Sequence, residues 1–157
     1  RVRSIDPVEK YVALASEHAR GEPRLTAHRA AIAIADGPLR MQLTAHPGSA
    51  SVSPASAGLY ESGSFLELPG RTLESLMAEL GDTRIDLLKL DVEGGEYALL
   101  PTLDLPALGV KVFTIQLHYN GSVAEARSLV TMLGEQGYDP VACRPLVKLT
   151  FARRDLL

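Results

Sequence analysis

The amino-acid sequence predicts an α/β fold, with a mostly parallel sheet, helices on both faces and an antiparallel C-terminal hairpin. Three features lead to this prediction. Strand-like and helix-like segments alternate along the chain, which is typical of strands joined by crossover helices. The run from residue 85 to 90 is mainly apolar, as expected of a strand covered on both faces. The last two strand-like segments meet at Arg144-Pro145, close enough to form a hairpin.

The composition favours a single globular domain over residues 1–157. Hydrophobic residues make up 46% and charged residues 22% of the chain, the balance of an ordinary soluble protein. The net charge is −3 and the 16 Lys and Arg residues are scattered, so we expect no nucleic-acid partner. The only cysteine, Cys143, cannot form an internal disulfide, which favours a cytoplasmic location. No apolar run approaches the roughly 20 residues that span a bilayer.

The beginning of the chain predicts a strand followed by a helix. Residues 2–5 are strand-like, and the next four read D-P-V-E, the form of a helix start with Asp6 as N-cap and Pro7 in the first turn. The helix is expected to end at Gly21. Because the chain opens with Arg1 inside a strand, we expect an N-terminally truncated piece of a longer protein.

Two strands and a long loop are expected next. Residues 25–34 and 39–43 are strand-like, and Asp36-Gly37 between them is a strong turn signal. From 46 to 70 the sequence is rich in Ser, Ala, Gly and Pro, with few apolar anchors. A loop of that length is usually a functional lid or disordered, and we expect a lid that orders on ligand binding.

The rest of the chain predicts three helices in alternation with strands. Thr72 caps the first of these helices, whose apolar stripe belongs to the core, and Ser122 with Glu125 forms a capping box for the last. The expected elements are a helix at 72–80, a strand at 85–90, a short helix at 95–101, a strand at 110–118, a helix at 122–137 and hairpin strands at 138–143 and 147–153.

Three carboxylates follow the strand that ends at residue 90. They belong to Asp91, Glu93 and Glu96, and ligands of open α/β sheets bind at the carboxyl ends of strands. Plainer roles also fit: Asp91 or Glu93 can cap the next helix, and Glu96 can be a solvated acid in its first turn. The three acids also suit Mg²⁺, which prefers oxygen ligands. Apart from Asp6, no other predicted strand ends in an acidic cluster, so the favoured interpretation contains no metal.

Two further residues at strand ends suit chemistry. His118, beside Asp91 and Glu93, can take a proton from a substrate hydroxyl, because its ordinary pKa is about 6.5. The alternative for His118 is a structural role. Asp6 has the position of an acid that bonds the ribose in dinucleotide-type folds, although the chain contains no G-x-G turn. A plain N-cap role is the compatible alternative for Asp6.

These residues together resemble the FkbM family of methyltransferases. Residues 84–97 read RIDLLKLDVEGGEY, which is similar to the family's strand D-L-L-K-I-D-V-E-G and the glutamate-rich helix start after it. Ile5-Asp6-Pro7 resembles the acid-Pro pair at the end of the family's second strand. Similar matches occur at residues 31–37, which resemble A-x-S-D-x-D-G, at Arg71-Thr72-Leu73, and in the closing strand at 149–153.

The resemblance implies an S-adenosylmethionine-dependent methyltransferase of the Rossmann-like class that acts on a hydroxyl oxygen. Asp6 would hold the cofactor ribose, Ala31 to Ala33 would line the adenine, and Asp91 would face the methionine end or the substrate. His118 and Glu93 are then the candidate catalytic residues. The acceptor is expected to be a sugar, another glycan or a small natural product, and the oligomeric state stays open.

The sequence also departs from the family pattern. The first strand and its glycine turn are missing, Ala33 and Ile34 replace a polar pair, and Gln116 stands where the family often has Glu. We expect the missing part to lie upstream of Arg1, and a degenerate relative is the alternative. Two other functions stay open at this stage: a non-catalytic Rossmann-like binding domain, and a Mg²⁺-dependent hydrolase or transferase.

Overall fold

A computed structural model describes residues 1–44, 50–51, 61–118, 121–144 and 148–157. The strands in these ranges are β1 (Val2–Asp6), β2 (Leu25–Arg29), β3 (Ala31–Ile32), β4 (Gly37–Thr44), β5 (Ala50–Ser51), β6 (Glu61–Arg71), β7 (Leu87–Leu90), β8 (Val112–Gln116), β9 (Tyr138–Arg144) and β10 (Lys148–Arg153). The helices are α1 (Glu9–His18), α2 (Leu73–Leu80), α3 (Glu96–Leu99) and α4 (Val123–Glu135). Helices and strands alternate as expected of an α/β protein.

The strands form three sheets of mixed direction. β1 and β2 form one pair, the second sheet has the order β3-β6-β4-β5, and the third has the order β7-β8-β10-β9. In the described part of the chain the pairs β1–β2, β3–β6 and β7–β8 are parallel and the others are antiparallel. The prediction of a mostly parallel sheet is therefore wrong. The antiparallel hairpin expected at the C-terminus is present as β9 and β10.

Strand β6 is the main cause of this difference. A loop is expected over residues 46–70, but residues 61–70 lie in β6 and pair antiparallel with β4. Residues 45–49 and 52–60 lie outside the described part of the chain. A lid in that segment therefore stays a prediction.

The pattern that places β6 in a sheet is the alternation of its side chains. Leu66 and Leu68 pack against the small apolar cluster around Ala31 and Met41, while Glu67 between them is exposed. A period of two in burial is the mark of a strand with one covered face. The sequence analysis overlooked this signal because glycine and proline surround it.

The main core lies against the third sheet. Phe113, Ile115, Tyr138 and Phe151 are each at most 1% exposed, and the rings of Phe113 and Phe151 stack with centroids 6.3 Å apart. Leu133 of α4 belongs to the same cluster. Each fully buried apolar side chain contributes about 1.5–3 kcal/mol. This packing holds β7 and β8 firmly against the core.

Helices α2 and α4 begin as the sequence predicts. Thr72 accepts the backbone N–H of Ser75 through its side chain, and Gly81 ends α2 with φ of 68°. Ser122 and Glu125 form the expected capping box at the start of α4. Within the described residues no helix is long and apolar enough to cross a membrane.

Helix α1 differs from the prediction at both ends. It begins at Glu9 with Val8 in the N-cap position, so the assignment of Asp6 as N-cap is wrong. The Asp6 carboxylate instead accepts the N–H of Val8 at 2.7 Å, an Asx-type turn just before the helix. The helix ends at His18, before Gly21, and none of its residues is buried.

Strand β1 is tied to the rest of the molecule by Arg3. Its guanidinium donates to both carboxylate oxygens of Asp82, over 2.8 and 3.2 Å, and Asp82 lies between α2 and β7. In the part of the chain that is described, β1 pairs with β2 alone and β7 with β8 alone. A two-pronged ion pair, rather than strand pairing, therefore links these two sheets.

Candidate active site at the carboxyl ends of β7 and β8

The chain turns sharply where β7 ends. Asp91 follows the last strand residue, and α3 begins only five residues later at Glu96. Glu93 and Gly94 have φ values of 51° and 99°, in the left-handed region. A non-glycine residue such as Glu93 holds this conformation at a cost on the order of 1–3 kcal/mol, so its surroundings must fix it.

Glu96 fixes this turn from inside. Its side chain has no exposed surface, and its carboxylate accepts the N–H groups of Val92 at 3.2 Å and Gly94 at 2.9 Å. The same carboxylate accepts Nδ1 of His118 at 2.7 Å. Burying a carboxylate is costly unless hydrogen bonds replace its water, and these three bonds do so. The interpretation of Glu96 as a solvated first-turn acid is therefore wrong.

His118 comes from the neighbouring strand. β7 and β8 are parallel, with Leu90 opposite Ile115, so the residues that follow them meet at one edge of the sheet. Nε2 of His118 lies 3.2 Å from Oε2 of Glu93 and 3.8 Å from Oδ1 of Asp91. The structure thus brings together the three residues that the sequence placed at these strand ends.

The acids around His118 control its charge. The hydrogen bond to Glu96 raises the pKa of His118 above its ordinary 6.5, burial opposes this, and the charges of Glu96, Glu93 and Asp91 raise it further. Because the Glu96 carboxylate can only accept, Nδ1 carries a proton. Nε2 is therefore the ring atom that gains and loses protons, and it faces Glu93 and Asp91.

The same edge offers ligand atoms for a cation. One atom each of Asp91, Glu93 and His118 lies within 4.8 Å of the others. Lys89 already neutralises part of this charge, with Nζ 3.0 Å from Oδ2 of Asp91. Glu96, which the sequence analysis considered as a Mg²⁺ ligand, is turned inward to backbone amides instead.

Asp6, the predicted ribose-binding acid, ends β1 in the two-stranded sheet. Burial raises the pKa of its carboxyl group, and the hydrogen bond from the N–H of Val8 lowers it in part. The side chain is half-buried at the carboxyl end of a parallel strand, the edge at which such folds bind ligands. Ribose binding stays a prediction.

The predicted adenine-lining residues lie beside β3. Ala31 is 3% exposed and packs with Met41, so it presents almost no surface to a base. The N–H of Ala33 donates to the carbonyl of Arg71 at 2.8 Å. Ile34, next to it, leaves 61% of its surface exposed. Contact of this segment with adenine stays a prediction.

Two surface depressions occur elsewhere. One, of about 570 Å³, lies between α1 and β2, and the other, of about 490 Å³, lies along β4 and β6. Neither is lined by Asp6, Asp91 or His118. The candidate site is therefore defined by its titratable side chains and not by these depressions.

Sequence reasoning missed the roles of two adjacent residues, Glu96 and Tyr97. Glu96 looked like one more acid in a polar turn, and only the fold shows that its carboxylate points inward. The oxygen Oη of Tyr97 donates to the backbone carbonyl of His118 over 3.3 Å. The signal available in the sequence was the pair of glycines before Glu96, which lets the backbone fold around a buried side chain.

This is an α/β protein with charged side chains at the carboxyl ends of parallel strands, the edge at which open α/β sheets bind their ligands. Comparison with known families matches residues 1–140 to the methyltransferase FkbM domain. The chain therefore belongs to this family and is a methyltransferase domain. No curated protein matches the chain.

Proposed function

We propose that this protein is an S-adenosylmethionine-dependent methyltransferase that methylates a hydroxyl oxygen of a sugar or small natural product. The observation that carries the proposal is the position of His118. In a member of a methyltransferase family, this imidazole is oriented by the buried Glu96 and presents Nε2 at the edge where two parallel strands end.

His118 acts as the general base in this proposal. Nε2 would take the proton that the acceptor hydroxyl releases on methylation, while Nδ1 keeps its hydrogen bond to Glu96. Glu93, with Oε2 at 3.2 Å from Nε2, stabilises the imidazolium that forms. S-adenosylmethionine supplies a methyl group that its sulfonium already activates, so alignment by the protein provides most of the catalysis.

The cofactor is expected to lie between the ends of β1 and β7. Asp6 would accept hydrogen bonds from the ribose hydroxyls, and the segment from Ala31 to Ala33 would lie along the adenine. Asp91 would face the methionine end, where a carboxylate favours a positively charged donor. The family match and the position of Asp6 and Asp91 at strand ends support this arrangement.

Calorimetry of the complete protein with S-adenosylmethionine tests the proposal, together with detection of S-adenosylhomocysteine in the presence of sugar acceptors. We expect cofactor binding and turnover that falls on His118→Gln while the affinity for the cofactor stays unchanged. No heat of cofactor binding would reject the proposal and favour a non-catalytic domain. Unchanged turnover and pH profile in His118→Gln would remove this residue from the base role.

Calorimetry with Mg²⁺ in place of the cofactor distinguishes the metal-dependent alternative from the proposed function. Asp91, Glu93 and His118 could hold a divalent cation, because their ligand atoms are close together. Tight binding of Mg²⁺ to the protein without cofactor, and turnover that requires it, would favour a Mg²⁺-dependent transferase or hydrolase.

A further inference from the structure

Two neighbouring residues of α3 hold His118 from two sides. Glu96 accepts the imidazole Nδ1, and Tyr97 donates from Oη to the backbone carbonyl of the same histidine. A ring fixed by one residue and a backbone fixed by the next leave His118 little freedom of rotation. Because both partners lie on one turn of helix, any movement of α3 moves both contacts together.

The ring of Tyr97 lies against Gly121, which precedes the N-cap residue of α4. A side-chain carbon at Gly121 would overlap the ring atoms Cζ, Cε1 and Cε2 of Tyr97. The N–H of Gly121 also points to the carbonyl of His118, at 3.5 Å. The ring therefore occupies the space that a Gly121 side chain would need, and both residues donate toward one carbonyl.

We propose that Tyr97 and Gly121 are positioning residues that set where Nε2 of His118 meets the acceptor hydroxyl. This inference rests on the proposed base role of His118 and extends it to two residues that touch no reacting atom. A substituent at Gly121 must displace the Tyr97 ring, and that ring carries the hydroxyl that bonds the His118 carbonyl. Misplacement of a catalytic group by about 1 Å can cost about 100-fold in rate.

Turnover of Gly121→Ala, Tyr97→Phe, Tyr97→Ala and the double variant Tyr97→Ala/Gly121→Ala, each in the complete protein, tests the inference. Gly121→Ala should lower kcat by roughly 10- to 100-fold with unchanged affinity for S-adenosylmethionine. Tyr97→Phe removes only the hydrogen bond and should lower kcat by about three- to tenfold. In a Tyr97→Ala background, the space is already empty, so adding Gly121→Ala should change kcat by less than about twofold. Losses that simply multiply in the double variant would overturn the inference.

The chain offers matched controls for both changes. Tyr138→Phe also removes a hydroxyl that donates to a backbone carbonyl, that of Val110, but it lies in the core. Gly134→Ala adds a methyl group in α4 where no atom lies within 4 Å. Both controls should leave kcat unchanged. A similar kcat loss in Tyr138→Phe would mean that the Tyr97 effect is one of stability alone.

Nuclear magnetic resonance gives a second measurement that needs no turnover. The titration of the His118 imidazole, assigned by its loss in His118→Gln, reports its contacts with Glu96, Glu93 and Asp91. Gly121→Ala should move this titration toward that of an ordinary histidine, and Tyr97→Phe should move it less. An unchanged titration in both variants would overturn the positioning role. A shifted titration in a protein without methyl transfer would instead keep the positioning role and reject the proposed function.

Discussion

The sheet that carries His118 and the sheet that carries Asp6 are built very differently. The sheet β7-β8-β10-β9 lies on the main core, where Phe113, Tyr138 and Phe151 have no exposed surface. The pair β1–β2 contains no buried residue, and the helix α1 beside it contains none either. His118 therefore follows a strand of a densely packed sheet, whereas Asp6 lies at the end of a strand in a sheet with little buried surface.

The proposed function gives these two sheets different tasks. Placing a base within a fraction of an ångström needs a rigid frame, which the third sheet provides. The β1–β2 pair is held to that frame by the ion pair of Arg3 with Asp82. Regions with few buried apolar contacts open most easily, so we expect the Asp6 side to be the more mobile one in the free protein.

The largest expected effect tests whether the two sheets differ in how much their packing contributes to stability. Phe151→Ala should lower the free energy of unfolding by about 3–5 kcal/mol, because it removes a fully buried ring from the core. Val2→Ala in β1, where Val2 is 56% exposed, should change it by less than about 0.5 kcal/mol. Urea unfolding of both variants measures the difference. Similar losses at the two positions would contradict the comparison.

The sequence predicts well those elements whose signals are local. The caps at Thr72 and Ser122 and the stripe of α2 need only neighbouring residues, and they agree with the structure. The meeting of Asp91 with His118 followed from a single assumption, that their strands are parallel neighbours. The local sequence pattern and the rule that parallel neighbours end at one edge were enough to predict that Asp91 and His118 meet.

The features that the sequence analysis missed depend on partners distant in the chain. β6 is a strand because β4 lies beside it, and its glycines and prolines suggested a loop instead. The inward direction of the Glu96 carboxylate depends on the turn and on His118, 22 residues later. No periodicity in the sequence records the contacts of Glu96, so the inward direction of its carboxylate is visible only in the folded protein.

The next effect in size concerns Glu96, which joins the turn to His118. Glu96→Gln keeps the size but cannot accept hydrogen bonds from all three donors. Loss of an orienting partner should lower kcat by about 10- to 100-fold, and an unpaired buried amide should cost about 1–3 kcal/mol of stability. Glu125→Gln, which also changes an acid that accepts a backbone N–H, is the control and should leave kcat unchanged. Equal activity of Glu96→Gln and the unmodified protein would show that His118 needs no orienting carboxylate.

A smaller effect is expected at Asp6, which lies in the sparsely packed pair β1–β2. Asp6→Ala should weaken the binding of S-adenosylmethionine by about tenfold, the loss expected for one or two hydrogen bonds to a charged group. If Asp6 serves only the turn before α1, the variant should lose stability while affinity stays intact. Asp104→Ala is the matched control, because Asp104 also accepts a nearby backbone N–H, from Ala107. Calorimetry measures the affinities and urea unfolding the stabilities.

The smallest effect is the pH dependence of stability that His118 imposes. Its pKa is raised in the folded protein, above the value of about 6.5 in the unfolded chain. The folded state therefore binds the proton more tightly, and this stabilisation is fully present below pH of about 6.5. It is lost as the pH rises through the raised pKa. The free energy of unfolding should fall over this window, and His118→Gln should flatten that decline. A decline of equal size in His118→Gln would assign the pH dependence to other groups and show that the three acids do not hold the imidazole as the distances indicate.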